Sequence, residues 1–170
     1  MEMSLSVLES FSQRLIDANT SLQLQRWHAT SLAIWLREGC RCAYCGRDML
    51  GDRDFARSYY EHDHVLPVKD YPQFEDAQGY RVLACRACNS LKSIWDPNKQ
   101  SKGDPPIVAD DAKEVSPEQL RELVRRTKKY LWEIRTRYER DFFAEKVVIL
   151  DALATIGFES DASIAATSGS

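Results

Sequence analysis

The sequence predicts an α+β chain, mainly helical, in which a small core of two strands and a helix is flanked by N-terminal helices and a long C-terminal helix. Three observations predict it. Two CxxC pairs, Cys42-Ala43-Tyr44-Cys45 and Cys85-Arg86-Ala87-Cys88, enclose a short stretch with strand character. Apolar residues recur at helical spacing on both sides of that stretch, and a Ser-Pro-Glu-Gln helix start precedes the second set.

Residues 1–38 are expected to form two helices. Leu5, Leu8, Phe11 and Leu15 lead to a break at Asn19-Thr20-Ser21, after which Leu22, Leu24, Trp27, Leu32, Ile34 and Trp35 continue the pattern. Gly39 closes the second helix, and Gly46 supplies the permissive backbone that a tight CxxCG turn requires. His28, beside Trp27, reads as a packing residue. Residues 39–98 form the expected core. Residues 58–66 are aromatic and β-branched enough for a strand that Pro67 ends; residues 80–84 predict a second, and residues 89–95 a short helix stopped by Asp96-Pro97-Asn98. Residues 99–115, polar and carrying Pro105 and Pro106, read as a linker loop with little packing of its own. Residues 116–158 predict a long helix, with Ser116 as N-cap, Pro117 at its first position and a stripe through Leu120, Leu123, Val124, Leu131, Ile134, Tyr138 and Phe142. Residues 159–170, small and polar, read as a disordered tail.

The chain of 170 residues, 44% hydrophobic and 29% charged, suits one globular domain with helical additions. No window approaches the ~20 apolar residues of a membrane span, so a soluble, cytoplasmic protein is expected. The net charge of −3 means that any nucleic-acid footprint must be local.

The cysteine spacing points to a four-thiolate structural zinc site on Cys42, Cys45, Cys85 and Cys88, the alternative being a reducible dithiol. Cys40 reads as a spare thiol. A unit this small lacks the apolar burial to hold itself together, and four-thiolate binding contributes on the order of 10 kcal/mol. Asp63 and His64 end the first strand and Asn89 follows Cys88. Phosphodiester hydrolysis needs a cation to neutralise the phosphate and a base to take a proton from water. Asp63 and Asn89 offer hard oxygen ligands suited to Mg2+ or Mn2+, and His64 is the natural base. Lys92, one turn beyond Asn89, is placed to hold a phosphate oxygen, with Arg86 and Lys69 as further phosphate contacts.

These residues resemble the HNH endonucleases of the ββα-metal group, in the subclass stapled by two CxxC pairs. The pattern CxYCG stands here as residues 42–46, DHxxP as residues 63–67 and CxxCNxxK as residues 85–92. The resemblance covers about residues 40–98. It implies that Asp63 and Asn89 bind the catalytic ion, that His64 activates the water, and that DNA is cut to leave a 5′-phosphate and a 3′-hydroxyl, with RNA as a second candidate substrate. It also implies action beside a separate sensor or ATPase protein, in a phage-defence or restriction setting. One position departs from the pattern. The middle Asn that orients the catalytic loop is replaced by Tyr80, whose hydroxyl, or the Gln78 amide, is the candidate substitute tether.

Other residues carry two readings each. His62 lies on the His64 side of a regular strand, as an extra base or ligand, or as a supporting histidine; Glu61 reads as solvated. Arg121, Arg125, Arg126, Lys128, Lys129, Arg135, Arg137 and Arg140 outnumber Glu122, Glu133 and Glu139; they form either a solvated face or a stripe along a nucleic-acid backbone. The competing function is a non-catalytic zinc module that binds nucleic acid or a protein.

Overall fold

The computed structural model describes residues 4–19, 27–51, 60–99 and 105–155. Helix α1 spans Leu5–Ala18 and α2 spans Ala29–Arg37. Ser4 caps α1, its Oγ accepting from Val7 N at 3.4 Å, and Leu8, Ser12 and Ile16 make a buried stripe at four-residue spacing. Ala33, Ile34 and Trp35 bury α2. Gly39, at φ +60, donates to Leu36 O and turns the chain out of α2 as expected. His28 is exposed at the N-cap of α2 rather than packed, because the helix begins just beyond it and its ring makes no cap. Leu22 and Leu24 lie outside the described residues.

Strands β1, Tyr60–His64, and β2, Arg81–Cys85, form a two-stranded antiparallel sheet in which Tyr60 pairs with Cys85, Asp63 with Val82 and His64 with Arg81. Residues 65–80 join them through 3-10 turns at Pro72–Phe74 and Gln78–Tyr80. Val65, Leu66, Tyr71, Phe74 and Tyr80 turn this connection inward, onto Val82, Leu83, Ile34 and Trp35. Helix α3, Arg86–Lys92, follows β2 without a loop. It begins three residues earlier than the sequence suggested and ends at Lys92, where Ser93 takes a positive φ of 49°. The second CxxC pair therefore straddles a strand end and a helix start.

The described part of residues 99–115 forms no helix or strand and is mostly exposed, as expected of a loop, but it is tied to the core at one point that the sequence did not show. Asn98 clamps that segment as a backbone strand would: its Nδ2 donates to Val108 O at 2.8 Å and its Oδ1 accepts from Val108 N at 2.9 Å. Val108 is fully buried, and Gln119 Nε2 donates to Ile107 O at 2.7 Å. Helix α4, Pro117–Thr155, opens with a reciprocal box, Gln119 N to Ser116 Oγ at 3.2 Å and Ser116 N to Gln119 Oε1 at 2.8 Å. Leu123, Thr127 and Leu131 bury one face of its first turns.

The chain divides into two units, residues 1–131 and 132–170, so α4 belongs to the core unit as far as Leu131. The second unit, taken by itself, exposes Trp132, Tyr138, Val147, Val148 and Ile149. Tyr138 thus leaves the expected apolar stripe, and residues 159–170 lie outside the described residues. Among the described residues, no helix is long and apolar enough to cross a membrane.

Candidate metal centre and strand-end site

The two knuckles converge because backbone bonds tie one to the other. Ala43 N donates to Leu83 O at 2.8 Å, and Gly46, at φ +73, closes the first turn by donating to Cys42 O at 2.8 Å. Cys85 N donates to Cys42 Sγ at 3.3 Å. The Sγ atoms of Cys42, Cys45, Cys85 and Cys88 all lie within 4.8 Å of one another, with Cys45 and Cys85 3.8 Å apart. A tetrahedron with metal–sulfur bonds of about 2.3 Å has edges of roughly 3.8 Å. The soft four-thiolate set and that edge fit a metal ion such as zinc. Hydrogen bonds from the other three thiols hold Cys45 far below the usual thiol range, and those from Cys42 first and then Cys88 bring Cys85 down to about 6 against the Cys45 bond, while sharing those protons pushes Cys42 and Cys88 up. Cys40 stays outside the cluster, and burial and then Asp48 raise its thiol.

Next to this cluster, at the end of β1, Asp63 is 7% exposed. The Tyr44 hydroxyl donates to its Oδ2, and Lys92 Nζ lies 3.2 Å from Oδ1 and 3.1 Å from Oδ2. Burial pushes the Asp63 carboxyl up, against the pull of Lys92 and Tyr44; burial, and then the neighbouring carboxylate, push the Tyr44 phenol up in turn. Lys92 is 2% exposed and also donates to His64 O at 2.8 Å. The structure thus corrects the expectation for Lys92. Its ammonium is directed into the core and spent on Asp63 and the His64 carbonyl, because α3 is anchored by Cys85 and Cys88 with that face toward β1.

Asn89 is three residues before Lys92, on the same face of α3, half-buried and with no side-chain hydrogen bond among the described residues. His64, half-buried, places Nε2 3.1 Å from Glu75 O. A carbonyl can only accept, so this bond puts the proton on Nε2 and leaves Nδ1 of the neutral ring with a lone pair. Arg86 and Lys69 are exposed, at the first turn of α3 and in the connection after β1.

His62 shares the His64 side of β1 but belongs to an aromatic group. Its ring is 5.7 Å from Tyr60, which sits 5.0 Å from Trp35. Its buried Nε2 has no hydrogen-bond partner among the described residues, and burial, with Arg81 and Arg37 adding to it, lowers its pKa. Among the described residues the Tyr80 hydroxyl, considered as a tether, is also buried without a hydrogen-bond partner, and burial raises its pKa to about 12; the Gln78 amide there reaches only Asp76 O, at 3.4 Å. Among the described residues the four cysteines are the only cluster of at least three His, Cys, Asp or Glu side chains spaced to hold a metal.

Two contributors carried no signal that sequence reasoning used. Tyr44 stands inside the CxYCG pattern, yet its bond to Asp63 depends on the knuckle packing under β1. The carbonyl of Glu75 belongs to no motif. On α4, Arg121 pairs with Glu118, and Arg125 and Arg126 with Glu122, which is held down to about 2 by the Arg125 hydrogen bonds first. These pairs match the reading of a solvated face.

Compared with known proteins, the chain matches no family model, no curated protein and no solved structure.

Proposed function

We propose that this chain is a metal-dependent HNH endonuclease that hydrolyses DNA phosphodiester bonds, its ββα core stapled by zinc on Cys42, Cys45, Cys85 and Cys88. The observation that carries the reading is His64, held at the strand end with Nε2 bonded to the Glu75 carbonyl and Nδ1 left as an acceptor. That is the state a general base needs. Asp63 and Asn89 would hold an Mg2+ or Mn2+ ion, which supplies charge neutralisation at the phosphate and leaving oxygen. The chain's own residues do the rest. His64 Nδ1 takes the proton from the attacking water, and Lys92 and Tyr44 fix the Asp63 carboxylate. Exposed Arg86 and Lys69 contact the phosphate backbone, and a sensor or ATPase partner in a defence or restriction setting would direct the cut.

The second reading is a non-catalytic zinc module that binds nucleic acid or protein. It is favoured by one feature: both Asp63 oxygens are already engaged by Lys92 and Tyr44.

The deciding experiment incubates the purified protein with supercoiled plasmid, and separately with RNA, in Mg2+ or Mn2+. Nicking that disappears in His64→Ala and on chelation supports the nuclease. Nicking retained by His64→Ala excludes the mechanism, and binding without cleavage favours the module.

A further inference from the structure

The Glu75 carbonyl has two donors. His64 Nε2 lies 3.1 Å from it and Arg81 Nη2 donates to it at 2.7 Å. Arg81 and His64 face each other across the sheet, so the guanidinium meets the carbonyl from the neighbouring strand. Arg37 holds this arrangement from α2, donating through Nη2 to Arg81 O and through Nη1 to Gly79 O at 3.0 Å. The rest of the connection between the strands gives the His64 ring a packing surface but no hydrogen bond among the described residues. The Tyr80 ring lies 5.9 Å from the imidazole, its hydroxyl bonds to nothing among the described residues, and Val65 N reaches Tyr80 O at 3.4 Å. Without the guanidinium, the imidazole is the one side chain among the described residues that holds the Glu75 carbonyl.

We infer that Arg81 is a positioning residue: its guanidinium fixes the Glu75 carbonyl, and through it the orientation of the His64 ring. Two lone pairs on one carbonyl oxygen accept two donors, and the Arg81 bond sets where the second lone pair points. The inference deepens the nuclease reading only in making His64 a base; the ring's restraint is independent of activity.

The test uses the full chain, loaded with zinc, in three forms: wild type, Arg81→Gln and Arg81→Lys. One readout is the His64 Nε2–H cross-peak in 15N-edited NMR, which is visible when a hydrogen bond protects that proton from exchange. The other is steady-state plasmid nicking in Mn2+. Arg81→Gln is expected to lose the cross-peak and to lower kcat about 10- to 100-fold, the scale on which a misplaced group loses rate, with KM changed less than about threefold. Arg81→Lys, which keeps a charged donor at nearly the full reach that the shorter, neutral Gln amide lacks, is expected to restore part of both. Zinc content monitors folding; should Arg81→Gln lose zinc, Arg81→Met, which keeps the aliphatic stem, replaces it. A protected Nε2–H in the folded variant overturns the inference. If the cross-peak is lost and wild type cleaves neither DNA nor RNA, the positioning role stands and the nuclease reading fails. If nicking is present and the cross-peak does not respond, the reverse holds.

Discussion

Lys92 and Asp63 form an ion pair with both partners buried, Nζ lying 3.2 Å from one carboxylate oxygen and 3.1 Å from the other. Desolvating two charges is costly, and the pair is kept favourable by the Tyr44 hydroxyl on the carboxylate and the His64 carbonyl on the ammonium. Removing one partner leaves the other charge uncompensated. Lys92→Met is therefore expected to destabilise the core by about 3–5 kcal/mol, read from the urea midpoint. Lys92→Met combined with Asp63→Asn is expected to recover part of that loss. An unchanged midpoint in the single variant would show that the pair contributes nothing.

The four-sulfur cluster predicts one metal ion per chain, measurable as bound zinc by mass spectrometry of the native protein. Cys42→Ser and Cys88→Ser should each lose the metal and the cooperative unfolding transition, since four-thiolate binding contributes on the order of 10 kcal/mol to so small a unit. Cys40→Ser should lose neither, because Cys40 stands outside the cluster. A folded protein free of metal contradicts this use of the cysteines.

His62 predicts a sensitivity to acid. Its folded pKa is lowered from 6.5 because burial, reinforced by Arg81 and Arg37, disfavours the imidazolium. The unfolded chain then binds the proton first, so stability is present above pH about 6.5 and declines as pH falls from there toward the folded pKa. Urea midpoints measured at several pH values from about 7.5 to 5.5 should fall in wild type and fall less steeply in His62→Phe. Parallel slopes in the two proteins would refute the assignment.

Asn98 fixes residues 105–116 to the core through a pair of bonds to Val108. Truncation to alanine strands a buried N–H and a buried C=O, each costing about 1–3 kcal/mol. Asn98→Ala should therefore lower stability by about 2–4 kcal/mol and open the segment to proteolysis. Asn98→Asp, which keeps the acceptor and loses the donor, should lie between.

Much of this architecture is legible in short-range spacing. The helix at Ser116-Pro117, the turn at Gly39, the two strands and the pairing of the CxxC knuckles follow from local chemistry: a cap, a positive φ, an alternation, a ligand spacing. Asp63, His64 and Asn89 are candidates on the same grounds, lying in sequence between or beside the cysteines that staple the core.

Only the folded chain determined how those residues are engaged. The residue pattern placed Lys92 one helical turn from Asn89, but whether its ammonium met solvent or Asp63 depended on how Cys85 and Cys88 set α3 against β1. The hold on His64 was sought in the Tyr80 or Gln78 side chain, whereas the bond comes from the main chain of Glu75, which no side-chain pattern encodes. The same limit concealed the Asn98 clamp, since a polar, proline-containing stretch reads as solvated until a buried amide elsewhere satisfies its backbone. Periodicity and spacing report the contacts of residues a few positions apart. Buried charge pairs and shared carbonyls join residues that are distant in sequence, and only packing brings them together.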